Sequence, residues 1–174
     1  MKLQGKSIAY LVEDEFEDLE FWVPVMRLRE EGAEVIVVGT GRKDTYQGKH
    51  GLTARADTAA DQVDPSDFDA LVIPGGWAPD KLRRYDAVKK MVREMDREGK
   101  ILGSICHAGW VLASAGILEG RRAVGSVGIK DDLENAGATW HDESAFRDGN
   151  VVWGRVVKDI PNFCRELVAA IAEA

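Results

Sequence analysis

The sequence predicts an α/β fold in which helices cover both faces of a mostly parallel central sheet. Two observations carry this. Short apolar runs alternate with amphipathic stretches along the chain, and several of the runs are unbroken by charge, as strands buried on both faces would be. Strands alternating with helices imply right-handed crossovers, and ligands of such sheets bind outside the carboxyl ends of the strands.

Ser7-Ile8-Ala9-Tyr10-Leu11-Val12 opens the chain as a β-rich run. From about Glu17 to Glu31, Leu19, Trp22, Val23, Met26 and Leu28 recur at helical spacing, and Gly32 supplies a stop. Glu34 to Val38 is the second strand, ending at Gly39. Thr45 to Arg55 carries Gly48 and Gly51 among polar residues and suggests a hairpin or loop. Ala70-Leu71-Val72-Ile73 is a central strand broken by Pro74-Gly75-Gly76. Asp86 to Glu98 is a helix with Val88, Met91, Val92 and Met95 on one stripe, closed by Gly99. Ile101 to Ile105 runs directly into Cys106-His107-Ala108-Gly109 and an apolar helix, Trp110 to Ala115. A helix at Asp131–Ala136, strands near Ser144–Arg147 and Val151–Trp153, and a terminal helix from about Ile160 complete the chain.

With 174 residues, 45% hydrophobic and 30% charged, the chain reads as one domain over residues 1–174. A balance of 23 basic against 30 acidic residues, net −7, argues against nucleic acid or an anionic membrane surface as partner. No apolar run approaches the roughly 18 residues of a membrane span. Met1 to Lys6 leads straight into the first strand without a signal peptide's apolar region, so a cytoplasmic location is expected. Two cysteines exclude a disulfide framework.

Three strand ends draw attention: Glu13–Glu20, Pro74–Trp77 and Cys106–Gly109. Cys106 sits where a buried strand meets a helix, with Ser104, Ala108 and Gly109 around it. A nucleophile elbow needs small residues there, and a helix N-terminus favours a thiolate. A buried structural thiol is the bland alternative, but the small-residue pattern and adjacent His107 favour function. His107 is the natural base, although adjacent side chains at an elbow tend to diverge. Gly75 and Gly76 offer backbone N–H groups for an oxyanion hole, or form an ordinary turn. Of the acids Glu13, Asp14, Glu15, Glu17, Asp18 and Glu20, most are expected to be solvated at a helix start. Glu17 or Glu20 is placed to enter the crevice, where burial would raise its pKa. Trp77 and Trp110 flank the proposed loops; Trp22, Trp140 and Trp153 are expected in the core, as is Cys164. His50 and His141 are expected in loops. No His or Cys pair has zinc-site spacing and no phosphate-binding glycine fingerprint follows the first strand, so neither metal nor cofactor is expected.

Several segments together resemble the PfpI group of intracellular cysteine hydrolases, within the DJ-1/PfpI superfamily. They are Glu15-Phe16-Glu17-Asp18-Leu19-Glu20 with Pro24, Gly48-Lys49-His50-Gly51, and Asp69 to Gly76 with Ala78-Pro79-Asp80. Ser104-Ile105-Cys106-His107, Ser114-Ala115-Gly116, Gly128 to Asp132 and Asn135 to Ala138 complete the set. The resemblance implies a flavodoxin-like three-layer sandwich and homo-oligomers built from dimers. It also implies Cys106 as nucleophile, His107 as its partner, Glu20 and Glu17 as active-site acids, and an oxyanion hole from Gly76 and the His107 amide. The glutamate that the family supplies from a neighbouring subunit falls on Asp80. Two segments depart from the pattern. Ser126 stands where a tyrosine is usual near the site, and Gly154-Arg155-Val156-Val157-Lys158-Asp159-Ile160 replaces the usual Ser-Arg-x-Pro-Asp-Asp-Leu. Both reshape the expected pocket.

The leading expectation is a cysteine-dependent enzyme acting on an electrophilic carbonyl of a small compound or peptide. The resemblance covers proteases, glyoxalases that turn 2-oxoaldehydes into hydroxy acids, and protein deglycases. A redox or stress-response protein using an oxidisable Cys106 is the alternative, and a flavodoxin-like binding module a third.

Overall fold

A computed structural model describes residues 1–174. In chain order the elements are β1 (Ser7–Leu11), α1 (Asp18–Glu30), β2 (Glu34–Gly39), β3 (Thr45–Gln47), β4 (Thr53–Arg55), β5 (Thr58–Ala59), β6 (Ala70–Ile73), α2 (Ala78–Leu82) and α3 (Asp86–Arg97). There follow β7 (Ile101–Ile105), α4 (Gly109–Ala115), β8 (Arg122–Ala123), α5 (Lys130–Asn135), β9 (Thr139–Trp140), β10 (Ala145–Asp148), β11 (Val151–Gly154) and α6 (Ile160–Glu173).

The central sheet has seven strands in the order β10-β11-β7-β6-β1-β2-β5. Every pairing is parallel except β10 with β11. Strands β6 and β7 are buried along their whole length, which explains their uninterrupted apolar sequences. From β1 the chain moves outward to β2 and β5, then returns to the other side of β1 as β6. Right-handed crossovers therefore place α1 and α3 on opposite faces. Helix α1 packs with α6, and α3 with α4, completing the predicted flavodoxin-like three-layer sandwich. The reversal of strand order lies between β1 and β6, where a crevice opens at the carboxyl ends.

The hairpin between Thr45 and Arg55 forms as β3 and β4, with Gly48 and Gly51 in its connection. The stripe expected on α3 is buried throughout. The stripe expected on α1 is buried only in part: Leu28 faces the core and Trp22 packs half-buried against it, whereas Leu19, Val23 and Met26 are exposed and Phe21 and Val25 take the inward places. Apolar residues occupy both sides of this helix, so periodicity alone mixed the inward and outward sets. Helix α2 and the two-residue pair β8–β9 were not anticipated. Of the tryptophans assigned to the core, Trp153 is fully buried, while Trp22 and Trp140 pack against the core half-buried. No helix is long and apolar enough to cross a membrane.

Candidate active site

The elbow is built by the meeting of β7 with α4. Ile105 is still extended, and Cys106 then turns to φ 60°, a left-handed conformation that costs a non-glycine residue about 1–2 kcal/mol. Cys106, His107 and Ala108 form one 3₁₀ turn before α4 begins. The turn is crowded from outside: Ser126 N–H donates to the Cys106 carbonyl (3.1 Å), and Gly125 lies so close that a Cβ would stand 2.3 Å from that oxygen. The imidazole does reach its neighbour, contrary to the divergence expected of adjacent side chains. His107 Nδ1 is 3.2 Å from Cys106 Sγ. The ring is held between Trp77 and Trp110, each with its centroid 5.0 Å away. Burial, and secondarily the charge of Lys49, lower the His107 pKa, so the imidazole is neutral and free to accept a proton.

The acidic side is assembled by a backbone clasp between two strand ends. Glu17 N–H donates to Gly75 carbonyl oxygen (3.1 Å) and Trp77 N–H to that of Glu15 (2.8 Å). Gly76 has φ 72°, and a Cβ there would lie 2.4 Å from the Glu15 carbonyl, so the clasp requires glycine. It sets the start of α1 beside the end of β6. Glu17 caps α1, its carboxylate accepting from Glu20 N–H (2.9 Å), and His50 Nε2 lies 3.4 Å from its other oxygen. Glu20, wholly buried, accepts from Gly75 N–H at 2.9 Å through Oε2. Its Oε1 is buried without a hydrogen-bond partner, and the Cys106 thiol is a near neighbour of the carboxyl group.

The acids at the first strand end were expected to be mostly solvated, yet Glu13, Glu17, Asp18 and Glu20 are all buried. Each has a specific partner. Glu13 accepts from Thr40 Oγ1 and from Arg42 (2.7 Å), and Asp18 from the amides of His50 (3.0 Å) and Leu52 (2.8 Å). Asp18 thereby pins the loop that carries Lys49, which lies over the Trp77 ring at 5.9 Å.

Burial, reinforced by the charge of Glu17, pushes the Glu20 carboxyl up to about 8. Burial and the proximity of Glu20 push the Cys106 thiol up to about 12, opposed by the amides of Gly76 and His107. The expected resting thiolate is therefore corrected: desolvation outweighs one short turn of amides, and the two groups hold their protons as a coupled pair at neutral pH.

A cavity of about 360 Å³ opens over the sulfur, lined by Glu17, Glu20, Gly76, Trp77, Cys106 and His107. Lys49, Val156, Val157 and Lys158 complete the lining and were missed as site residues. Gly75 lies behind the wall, in contact with Glu20. Ser126 reaches Cys106 only through its backbone and does not line the cavity. Asp80, on α2, pairs with Arg84 just beyond the helix and makes no hydrogen bond to His107 of its own chain. Cys164 is buried on α6, as expected. No group of three or more His, Cys, Asp or Glu side chains is placed to hold a metal ion.

The sequence profile of the DJ-1/PfpI family matches residues 6–170. A deglycase of Pyrococcus horikoshii is 44% identical over 162 residues, 93% of this chain and 97% of that protein. A putative cysteine protease, YraA of Bacillus subtilis, is 38% identical, with 93% of this chain and 96% of that protein covered. Among solved structures, Drosophila melanogaster DJ-1beta superposes with a TM-score of 0.89 at 26% identity, covering 97% of this chain and 91% of that one. A two-domain protein of Anabaena variabilis, with DJ-1/ThiJ/PfpI-like and ferritin-like domains, gives a TM-score of 0.92 at 38% identity. That match covers 94% of this chain and 47% of the larger one.

Proposed function

Since the chain belongs to the DJ-1/PfpI family, we propose that it is a cysteine-dependent enzyme that adds the Cys106 thiol to the carbonyl carbon of a small electrophilic compound. The observation that carries this reading is the strained Cys106, with a neutral imidazole 3.2 Å from its sulfur and a cavity above it. His107 Nδ1 takes the thiol proton as the S–C bond forms, and the carbonyl electron pair moves to oxygen. The amides of Gly76 and His107, which reach the sulfur, are placed to receive that oxyanion. Glu20 then carries a proton between adjacent carbons in a glyoxalase reaction, to the leaving amine in peptide cleavage, and in deglycation first to the leaving amine and then between the carbons, so that the sulfur bears an acyl group. Water releases the acyl group from sulfur in each case.

The cavity volume favours the small-molecule activities, deglycase or glyoxalase, over proteolysis. About 360 Å³ suits a compact ligand, at the low end of ligand pockets, whereas a polypeptide needs an extended cleft. The deglycase name of the Pyrococcus relative supports the same side. The protein acts as a homo-oligomer built from dimers, with Asp80 of a neighbouring subunit orienting His107. The exposed Leu19, Val23 and Met26 of α1 are a suitable contact face. Cytoplasmic location is part of the same reading. Steady-state turnover of methylglyoxal, a glycated amino acid and a fluorogenic peptide is the test, with Cys106→Ala as control. Cys106→Ala should abolish the activity; a variant that keeps the full rate on every substrate overturns the reading.

A further inference from the structure

Two lysines on the rim of the Cys106 cavity have no role in the chemistry above. Lys49 comes from the β3–β4 connection and lies over Trp77; Lys158 comes from the 3₁₀ turn before α6, on another segment of the lining. Both are exposed, and the lysines that pair with carboxylates within 4.0 Å are others, Lys6, Lys43, Lys81, Lys89, Lys90 and Lys100. Lys158 is held where it is from behind: Arg155 donates to buried Asp159 (3.0 Å), which braces the turn, while Val156 and Val157 line the apolar wall. Among the remaining titratable groups of the cavity, Glu17 is the one carboxylate set against the two lysines. Glu20 keeps its proton, His107 is neutral, and the Glu17 carboxylate is engaged by the Glu20 amide and His50. A chain of net charge −7 thus surrounds its reactive sulfur with a locally cationic rim.

We propose that Lys49 and Lys158 determine specificity by selecting carbonyl compounds that carry a carboxylate, the anionic end resting at the rim while the carbonyl reaches Cys106. The proposal rests on the Cys106 reading for its chemistry and deepens it by naming the substrate class. A carboxylate fits better than a phosphate. Two separate ammonium groups offer point charges without an arginine fork, and the amides of Gly76 and His107 are turned to the sulfur.

Charge selection is readable without turnover by comparing iodoacetate with iodoacetamide, reagents of similar size that differ in charge. In both, the Cys106 sulfur displaces iodide and forms the S–C bond, and peptide mapping counts modification at Cys106 apart from Cys164. The iodoacetate-to-iodoacetamide rate ratio should fall about tenfold in Lys158→Asp and several-fold in Lys49→Gln, with salt lowering the wild-type ratio toward theirs. A ratio unchanged in both variants and insensitive to salt overturns the proposal. In parallel, kcat/KM for 4,5-dioxopentanoate should exceed that for its methyl ester, and Lys158→Asp should narrow the gap. An equal preference in wild type and variant also refutes it. Loss of the alkylation ratio would leave the Cys106→Ala result untouched, and an enzyme inactive on every carbonyl compound would still report the rim through alkylation, so the two readings fail separately.

Discussion

Replacing Glu20 by glutamine isolates the energetic cost of keeping an ionisable carboxyl at the floor of the cavity. The amide keeps the shape and still accepts from Gly75 N–H, but it has no proton to lose. In the folded chain the carboxyl titrates near 8 rather than at the ordinary 4.5, chiefly through burial and then through the charge of Glu17. The folded state therefore binds this proton more tightly than the unfolded chain does. The resulting stabilisation of wild type is fully present below 4.5 and is lost as pH rises through about 8. Each pH unit within the window is worth at most about 1.4 kcal/mol, so the upper bound is about 5 kcal/mol, which relaxation around the carboxyl reduces to about 2–3 kcal/mol. Urea unfolding of wild type and Glu20→Gln, measured side by side across the window, cancels the titration of groups common to both. Glu20→Gln should gain on wild type steadily as the pH is raised and then hold its advantage on the alkaline side. A difference that stays flat with pH would mean that Glu20 is ionised in the fold throughout, and the coupled-pair description would be wrong.

The remaining predictions concern the same neighbourhood. If the pair must release its first proton for attack on a carbonyl, kcat/KM should rise with pH through about 8 and this limb should shift in Glu20→Gln; a profile identical to wild type contradicts the role given to Glu20. Gly75→Ala would place a Cβ 2.2 Å from Glu20 Oε2 and 2.6 Å from Cys106 Cβ, and should cost about 2 kcal/mol or more in a denaturant titration, with loss of activity. Mild peroxide should oxidise Cys106, which is half-buried, before buried Cys164 by peptide mass; the reverse order removes any case for a sensing role. Met26→Glu should shift the sedimentation of the protein toward a smaller species, and unchanged mass would exclude the α1 face as the subunit contact.

How much of this was legible in the chain differs by residue. The strands β1, β6 and β7 announce themselves because burial on both faces demands uninterrupted apolar runs, and the elbow because small residues must surround its turn. The inward face of α1 was only partly legible: Leu28 is read correctly, but Phe21 and Val25 compete with Leu19, Val23 and Met26, and sequence alone does not say which set the sheet will cover. Helix α2 is too short for a stripe to develop. Buried acids mislead for another reason. Glu13 and Asp18 are tolerated inside because Thr40, Arg42 and the amides of His50 and Leu52 arrive from more than twenty residues away. The segment carrying Lys158 was expected to shape the pocket, but its composition, like that of the segment carrying Lys49, does not say that the two ammonium groups border one cavity.

The left-handed angle at residue 106 bears on how this position would fare under mutation. Glycine is the residue that such a backbone accepts without strain, so Cys106→Gly should fold at least as stably as Cys106→Ala. The backbone of this elbow is thus set by its surroundings, the Ser126 amide on the Cys106 carbonyl and the close approach of Gly125, and not by the side chain it carries.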